Sequence, residues 1–164
     1  MDVRLAADAE LDALAALWHD AWRDAHLGIV PEDLVRLRTL PSFRQRLHAA
    51  LADVRVVGRP GAPLGFSLIK GDELYQLFVA APARGTGVAK ALIADAEARL
   101  AASGVATAWL ACAIGNERAA CFYEKCGWHR TGVYTNLAET DGGTFALDVW
   151  RYEKQLNPER ITAP

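Results

Sequence analysis

A short turn of small residues in the middle of the chain has the composition of a phosphate-binding loop. The turn spans residues 84–89, with the sequence RGTGVA, and it lies between a strand-like apolar segment and a long alanine-rich segment. The N-terminus of a helix presents unpaired backbone N–H groups and a partial positive charge, which together attract phosphate. Gly85 and Gly87 would let a ligand approach the backbone closely, and Arg84 adds a fixed positive charge. The turn therefore predicts a phosphate site, with a tight turn that binds no ligand as the alternative.

Two widespread phosphate loops do not match this turn. A P-loop requires G-x-x-x-x-G-K-[ST], whereas Lys90 stands here between two alanines. A dinucleotide fingerprint requires the third glycine of G-x-G-x-x-G, and position 90 holds lysine instead. Both alternatives are therefore disfavoured.

Two segments in succession resemble the acyl-CoA signatures of GCN5-related N-acetyltransferases (GNAT). Residues 84–89 are similar to [QR]-x-x-G-x-[GA], and residues 116–128, NERAACFYEKCGW, are similar to N-x-x-A-x-x-[FLY]-Y-x-x-x-G-[FW]. Two signatures in order, with a predicted strand between them, are more specific than one alone. The resemblance is strong from Leu64 to Trp128 and looser toward both ends.

This resemblance implies an acetyltransferase that uses acetyl-CoA and no metal. It implies transfer of the acetyl group to a primary amine of a small molecule or peptide, by direct attack in a ternary complex. It also implies a splayed pair of central strands, with pantetheine in the gap between them. The residues implied to bind acetyl-CoA are Leu77, Phe78, Val79, Arg84, Gly85, Thr86, Gly87, Val88, Ala89, Asn116 and Tyr123.

Acetyl transfer to an amine requires a neutral amine and a proton for the departing thiolate. Tyr123 matches the family tyrosine that donates this proton, and a phenol with an ordinary pKa of ~10 stays protonated at neutral pH. The alternative is an aromatic ring that only packs a helix onto the sheet. Glu73 is the predicted general base, and a solvated charge at a strand start is the alternative. Strand alternation predicts one shared face, if no bulge intervenes, for Glu73, Tyr75, Leu77 and Val79.

Trp18, Trp22 and His26 recur every four residues on a predicted helix. Together with Tyr75 they could line the acceptor pocket, and His26 could assist proton removal. The favoured reading is that the tryptophans belong to the core and that His26 lies on the surface. An aromatic and acidic set predicts a cationic acceptor through cation–π contact and charge pairing; its members are Trp18, Trp22, Tyr134, Glu139, Asp141 and Trp150.

The periodicity of apolar residues predicts an α+β fold, with a GNAT-like mixed, mostly antiparallel central sheet flanked by helices. The predicted strands are 3–5, 54–58, 64–70, 73–80, 106–114, 128–134 and 144–152. A first helix begins at Asp8 and ends near Gly28, and a second begins at Pro31. A third begins at a capping box of Ser42 and Gln45, and two more span residues 88–102 and 116–126. We expect one acetyltransferase domain over residues 1–164, with a loose tail after about residue 157.

Composition excludes several classes of protein. The chain has 164 residues and a formal net charge of −2, so we expect neither nucleic acid nor a membrane as a partner. Its start does not resemble a signal peptide. Its three cysteines predict neither a disulfide framework nor a zinc site, and they favour a cytoplasmic location. A non-catalytic coenzyme-A-binding module and a transferase for longer acyl groups stay open as alternatives. The resemblance also admits a homodimer, which no residue pattern indicates.

Overall fold

Seven strands form one sheet in the computed structural model, which describes residues 1–156. The strands are β1 (Val3–Leu5), β2 (Arg55–Arg59), β3 (Ala62–Lys70), β4 (Glu73–Val79), β5 (Thr107–Ala113), β6 (His129–Thr140) and β7 (Gly143–Gln155). Their order in the sheet is β1-β2-β3-β4-β5-β7-β6. Within the described residues, β4 and β5 are parallel and every other pair is antiparallel. The predicted mixed, mostly antiparallel sheet is confirmed.

Helices cover both faces of the sheet. They are α1 (Leu11–His26), α2 (Glu32–Leu37), α3 (Leu40–Ala50), α4 (Val88–Ala102) and α5 (Glu117–Lys125). Neighbouring residues of a strand point to opposite faces, so Val56 packs with α1 and α3 whereas Val57 packs with α4. No helix within residues 1–156 is both long and apolar enough to cross a membrane.

Two predicted helix starts are wrong. A 3-10 turn over Asp8–Glu10 precedes α1, so Asp8 does not cap that helix. The third helix begins at Leu40, two residues before the predicted Ser42–Gln45 capping box. Thr39 is its N-cap, because its side chain accepts a hydrogen bond of 3.2 Å from the Ser42 N–H.

The last two strands are longer than predicted. They pair from His129↔Glu153 to Thr140↔Gly143 and turn through two residues, 141 and 142. Most side chains of β6 are exposed, including Val133 at 65%. An exposed strand shows little alternation between apolar and polar residues, so its full length left no signal in the sequence. The predicted tail after residue 157 lies outside the described residues.

The central strands β4 and β5 diverge immediately after they meet. They share one register pair, Glu73↔Trp109, beside which the Trp109 N–H donates to the Asp72 carbonyl at 3.2 Å. Beyond Glu73, within the described residues, no strand pairs with the β5-facing edge of β4. The predicted splayed pair is therefore present, and it leaves backbone groups of β4 free to bind a ligand.

A bulge at Tyr75 changes which side chains of β4 share a face. Leu68 pairs with Gln76 and Ile69 pairs with Leu74, so Tyr75 has no partner in β3. Tyr75 and Phe78 consequently pack on the α1 side, whereas Leu77 and Val79 pack against the α4 side. The prediction of one shared face for Glu73, Tyr75, Leu77 and Val79 is wrong, because the bulge reverses the alternation.

Candidate active site

Two cavities meet where β4 and β5 separate. The Gly87 cavity, about 310 Å³, lies between the end of β4, the start of α4 and α5. The Glu73 cavity, about 140 Å³, lies between α1, α2, α3 and the sheet. The residues that line both are Leu77, Phe78, Asn116, Ala119 and Tyr123. A molecule in one cavity can therefore reach a molecule in the other.

The Gly87 cavity is built on backbone that favours glycine. Gly87 is the N-cap of α4 with φ of +92°, and Gly85 has φ of +76°. L side chains rarely adopt this conformation, which explains both glycines of the loop. A Cβ added at Gly85 would meet no heavy atom within 4 Å, so the backbone there faces open space. The free N–H groups of the first turn of α4 make this an anion-binding surface that suits a pyrophosphate.

The predicted loop residues divide between the cavity and the core. Leu77, Phe78, Val79, Arg84, Gly85, Gly87 and Ala89 line the Gly87 cavity. Thr86 and Val88 do not: the Thr86 hydroxyl donates to the Ala83 carbonyl, and Val88 is buried in the core. These two residues therefore offer a ligand only their backbone.

Three cations line the Gly87 cavity, and two of them escaped the sequence analysis. Arg84 forms an exposed ion pair with Asp24 at 3.1 Å. Lys90 and Arg118 also line the cavity. Arg118 stands at an unspecified position of the second signature, and Lys90 counted only as a mismatch to a P-loop. Their positive charge complements several phosphates.

Tyr123 lies where the two cavities meet. Its ring packs against Phe122, Trp128 and Tyr152 with centroid distances of 5.6, 6.4 and 6.2 Å. Burial raises the pKa of Tyr123 above its usual value, so the phenol keeps its proton at neutral pH. Nearby, Asn116 caps α5, and its Oδ1 accepts from the Ala119 N–H at 3.3 Å. Tyr123 thus packs in the core and can also donate a proton at the junction.

Glu73 is a half-buried carboxylate in the other cavity. Burial raises its pKa to about 7, and Asp72 adds to this while Lys70 and Arg151 oppose it. A carboxylate whose pKa lies near 7 can accept a proton at neutral pH and release it again. Its place in the cavity and its pKa therefore allow it to act as a general base.

His26 lies in the same cavity and is neutral. Its Nδ1 is 2.8 Å from the Trp22 carbonyl, and a carbonyl only accepts, so Nδ1 carries the hydrogen and Nε2 is an acceptor. Burial lowers the pKa of His26 to about 4. The ring stacks on Trp22 at 4.6 Å, and both side chains line the Glu73 cavity. The expectation of a surface histidine is wrong, because the ring also lies 6.4 Å from the Phe78 ring of β4 and is largely covered by the sheet.

The other residues predicted to bind the acceptor divide between the Glu73 cavity and positions outside it. Trp18 is fully buried against Phe43 and Phe66, at 4.9 and 5.5 Å, and does not line the cavity. Tyr134 and Trp150 lie under arginines of β6 and β7, outside the cavity. Glu139 lines the cavity, but its carboxylate pairs with Lys70. Of the aromatic and acidic set predicted for a cationic amine, Trp22 and Glu139 line the cavity, whereas Trp18, Tyr134, Asp141 and Trp150 do not. Tyr75 does line the cavity.

Metal and thiol chemistry find no support in the described residues. Residues 1–156 contain no group of three or more His, Cys, Asp or Glu side chains that could hold a metal ion. Cys112 lines the Glu73 cavity, but burial raises its pKa to about 12. A thiol with that pKa stays protonated and is a poor nucleophile.

The family model described as the Acetyltransferase (GNAT) family matches residues 12–128. No curated protein is significantly similar to the chain in sequence. Solved structures share the fold at low identity. A GCN5-related N-acetyltransferase from Rhodopseudomonas palustris is 20% identical in sequence and superposes with a TM-score of 0.74. The match covers 94% of this chain and 95% of the chain of that protein.

Two further structures show the same likeness. The ribosomal-protein-alanine N-acetyltransferase from Brucella melitensis is 21% identical with a TM-score of 0.66, covering 95% of this chain and 100% of its own. The PaiA N-acetyltransferase from Thermoplasma acidophilum, in complex with coenzyme A, is 19% identical with a TM-score of 0.63, covering 94% and 98%. At these identities the similarity establishes the fold.

Proposed function

The chain belongs to the GNAT acetyltransferase family, and on that premise we propose that it transfers an acetyl group from acetyl-CoA to the primary amine of a small molecule. The observation that carries this proposal is the meeting of the two cavities at Tyr123. One cavity is lined by the loop of residues 84–89, with its free backbone N–H groups and Arg84, and the other contains a carboxylate whose pKa is about 7.

The Gly87 cavity is the proposed site of acetyl-CoA, which supplies the acetyl thioester when bound. The free N–H groups of residues 84–89 would hold its pyrophosphate, and Arg84, Lys90 and Arg118 would balance its charge. The unpaired edge of β4 at Leu77–Val79 would position the pantetheine arm toward Tyr123. These features support the proposal because the backbone N–H groups and the cations can bind a ligand without first losing a protein partner. The exception is Arg84, which would have to leave its exposed ion pair with Asp24.

Glu73 and Tyr123 are the proposed catalytic residues. Glu73 would take a proton from the incoming ammonium and leave a neutral amine, with His26 Nε2 as a second acceptor in the same cavity. As the amine nitrogen bonds to the acetyl carbon and the C–S bond breaks, Tyr123 would give its phenolic proton to the departing sulfur, because its raised pKa keeps the phenol protonated. The second proton that the nitrogen loses would restore the phenol. A module that only bound coenzyme A would need neither group. Transfer from a ternary complex, the cytoplasmic location and a homodimer stay predictions.

A steady-state assay of coenzyme A release tests this function. The wild type should release coenzyme A faster in the presence of primary amines than in their absence. Tyr123→Phe should lower kcat about tenfold to a hundredfold, because the thiolate then leaves without a proton, while KM for acetyl-CoA changes little. Tyr134→Phe is the matched control, since it removes a hydroxyl from an exposed strand outside both cavities. Equal rates for all three proteins would remove Tyr123 from the mechanism.

A further inference from the structure

The Glu73 cavity contains a buried arginine without an anionic partner. Arg38 is 5% exposed and lines the cavity at the end of α2. One Nη donates to the backbone carbonyl of Glu139, whereas Nε is buried and has no hydrogen-bond partner among the described residues. Unpaired buried donors are rare in proteins, and a buried cation without an anion is more unfavourable still.

A second arginine of the same cavity, the partly exposed Arg46, also has no anionic partner among the described residues. Arg46 donates to the Tyr75 hydroxyl at 3.0 Å, and its guanidinium lies 4.3 Å from the centre of the Trp18 ring. Its Nε is also buried and unpaired. Neither arginine has a carboxylate within ion-pair distance among residues 1–156. All the contacts they do make are with neutral groups.

The surrounding charges do not neutralise these two cations. Burial, followed by repulsion from Arg46, lowers the pKa of Arg38 to about 10, so the two positive charges act on each other. Asp141 acts on Arg38 in the opposite sense, but it lies in an exposed turn. The Glu139 carboxylate pairs with Lys70, and Glu73 has a pKa of about 7. An additional anion in the cavity would therefore be stabilised.

We propose that the acceptor is a small primary amine that also carries a carboxylate, and that Arg38 and Arg46 bind this carboxylate while the amine faces Glu73. Guanidinium groups bind carboxylates through paired, charge-assisted hydrogen bonds, and each of the two arginines has one Nη group without a hydrogen-bond partner among residues 1–156 to donate them. The cavity of about 140 Å³ is smaller than the ~300–1,000 Å³ of a site for a drug-sized ligand, so it fits a compact amino acid better than a peptide. This inference rests on the proposed function and replaces the expected cationic acceptor.

Matched pairs of amines test the inference. Each pair consists of an α-, β- or γ-amino acid and its carboxamide, assayed with saturating acetyl-CoA. The best acid should show kcat/KM at least tenfold above that of its carboxamide. The carboxamide has the less basic amine, which is more readily neutral, so reactivity of the amine cannot produce this preference.

Two variants locate the preference at the arginines. Arg38→Met should raise KM for the acid at least tenfold and leave the carboxamide within about twofold. Arg46→Met should do the same and serves as the second variant if Arg38→Met does not fold. Arg44→Met is the matched control: Arg44 lies on the same helix, is exposed and pairs with Asp12 at 2.7 Å. It should leave both substrates unchanged.

The outcomes separate this inference from the proposed function. Equal turnover of acids and carboxamides, or equal losses on both in Arg38→Met, overturns the carboxylate site while acetyl transfer stands. If the wild type acetylates no amine, the proposed function fails, and the site is then tested by melting temperature with coenzyme A and each N-acetyl amino acid. A melting temperature raised by the N-acetyl amino acids but not by their carboxamides, and not raised in Arg38→Met, supports the carboxylate site. An unchanged melting temperature in the wild type overturns it.

Discussion

Two regions of this molecule contain arginines that are wholly or partly buried. In one region the arginine pairs with a carboxylate, and in the other the arginines do not. Near the N-terminus, Glu10 is 1% exposed and accepts from both Nη atoms of Arg4 at 2.8 and 2.7 Å. The N–H groups of Ala7 and Gly61 complete its shell at 2.9 and 3.0 Å. In the Glu73 cavity, the Nε donors of Arg38 and Arg46 have no hydrogen-bond partner among residues 1–156, and neither guanidinium forms an ion pair with a carboxylate there.

The difference distinguishes a charge that stabilises the fold from one that is available to a ligand. The Arg4–Glu10 pair has no capacity left for a ligand, because each carboxylate oxygen of Glu10 already accepts from two donors. The hydrogen bonds from Arg4 are the main reason why the pKa of Glu10 falls to about 2. In the Glu73 cavity, by contrast, Arg38, Arg46 and Glu73 have no ion-pair partner among the described residues and can bind a ligand. Substitutions should therefore affect stability in the first region and turnover in the second.

Glu73→Gln should have the largest effect and should act on turnover. We expect kcat to fall by about 10²–10⁴-fold at pH 8, since the amide cannot take a proton from the ammonium. In the wild type, kcat should rise with pH through about 7 as the carboxyl ionises, and this limb should vanish in the variant. The variant should be no less stable than the wild type, because a carboxyl whose pKa is raised on folding destabilises the fold above that pKa. A variant with the same pH limb and rate would show that Glu73 is not the base.

Glu10→Ala should have the next largest effect and should act on stability. Removing one member of a buried pair leaves Arg4 and two backbone N–H groups unpaired, so unfolding in urea should require about 3 kcal/mol less. The turnover of the folded variant should be unchanged. The depressed pKa also predicts that the wild type loses this contribution as the pH falls from about 4.5 toward 2, and that Glu10→Ala does not. A loss of turnover at full stability would contradict the separation of the two regions.

Arg38→Met should have the smallest effect on stability. The cation that it removes has no anionic partner, and the Glu139 carbonyl loses one donor, so the two changes should nearly cancel. The free energy of unfolding should change by less than about 1 kcal/mol, against about 3 kcal/mol for Glu10→Ala. Parallel urea titrations of the two variants measure this directly. A loss as large as that of Glu10→Ala would make Arg38 a structural residue like Arg4.

The sequence predicted the parts of the site that lie within one segment. The loop at 84–89 and Tyr123 occur in contiguous signatures, so the strand–loop–helix unit and the junction residue could both be found. Gly65 is a lone glycine inside β3, and such a glycine indicates that another element approaches the strand closely. A Cβ there would lie 2.8 Å from Val88, so the glycine lets α4 approach the sheet.

The parts that join distant segments could not be predicted. Arg38 contacts Glu139 across 101 positions and Arg46 contacts Tyr75 across 29, and in the local sequence each arginine resembles an ordinary surface charge on or beside a helix. The bulge at Tyr75 depends on the register of β3, which has no signature of its own. The acceptor cavity is assembled by these long-range contacts, which explains why a cationic acceptor was expected from the sequence and a carboxylate is proposed from the structure.

Acetyl transfer by this chain requires acetyl-CoA to bind in the Gly87 cavity, and calorimetric titration tests that binding. The wild type should bind acetyl-CoA in preference to ATP and NADH. Gly87→Glu should abolish binding, because it places a side chain and a negative charge where the pyrophosphate should lie. Gly104→Glu is the matched control, since Gly104 has nearly the same φ, +91° against +92°, just beyond the other end of α4. Binding by the wild type and Gly104→Glu but not by Gly87→Glu is the predicted result, and unchanged binding by folded Gly87→Glu would contradict the account.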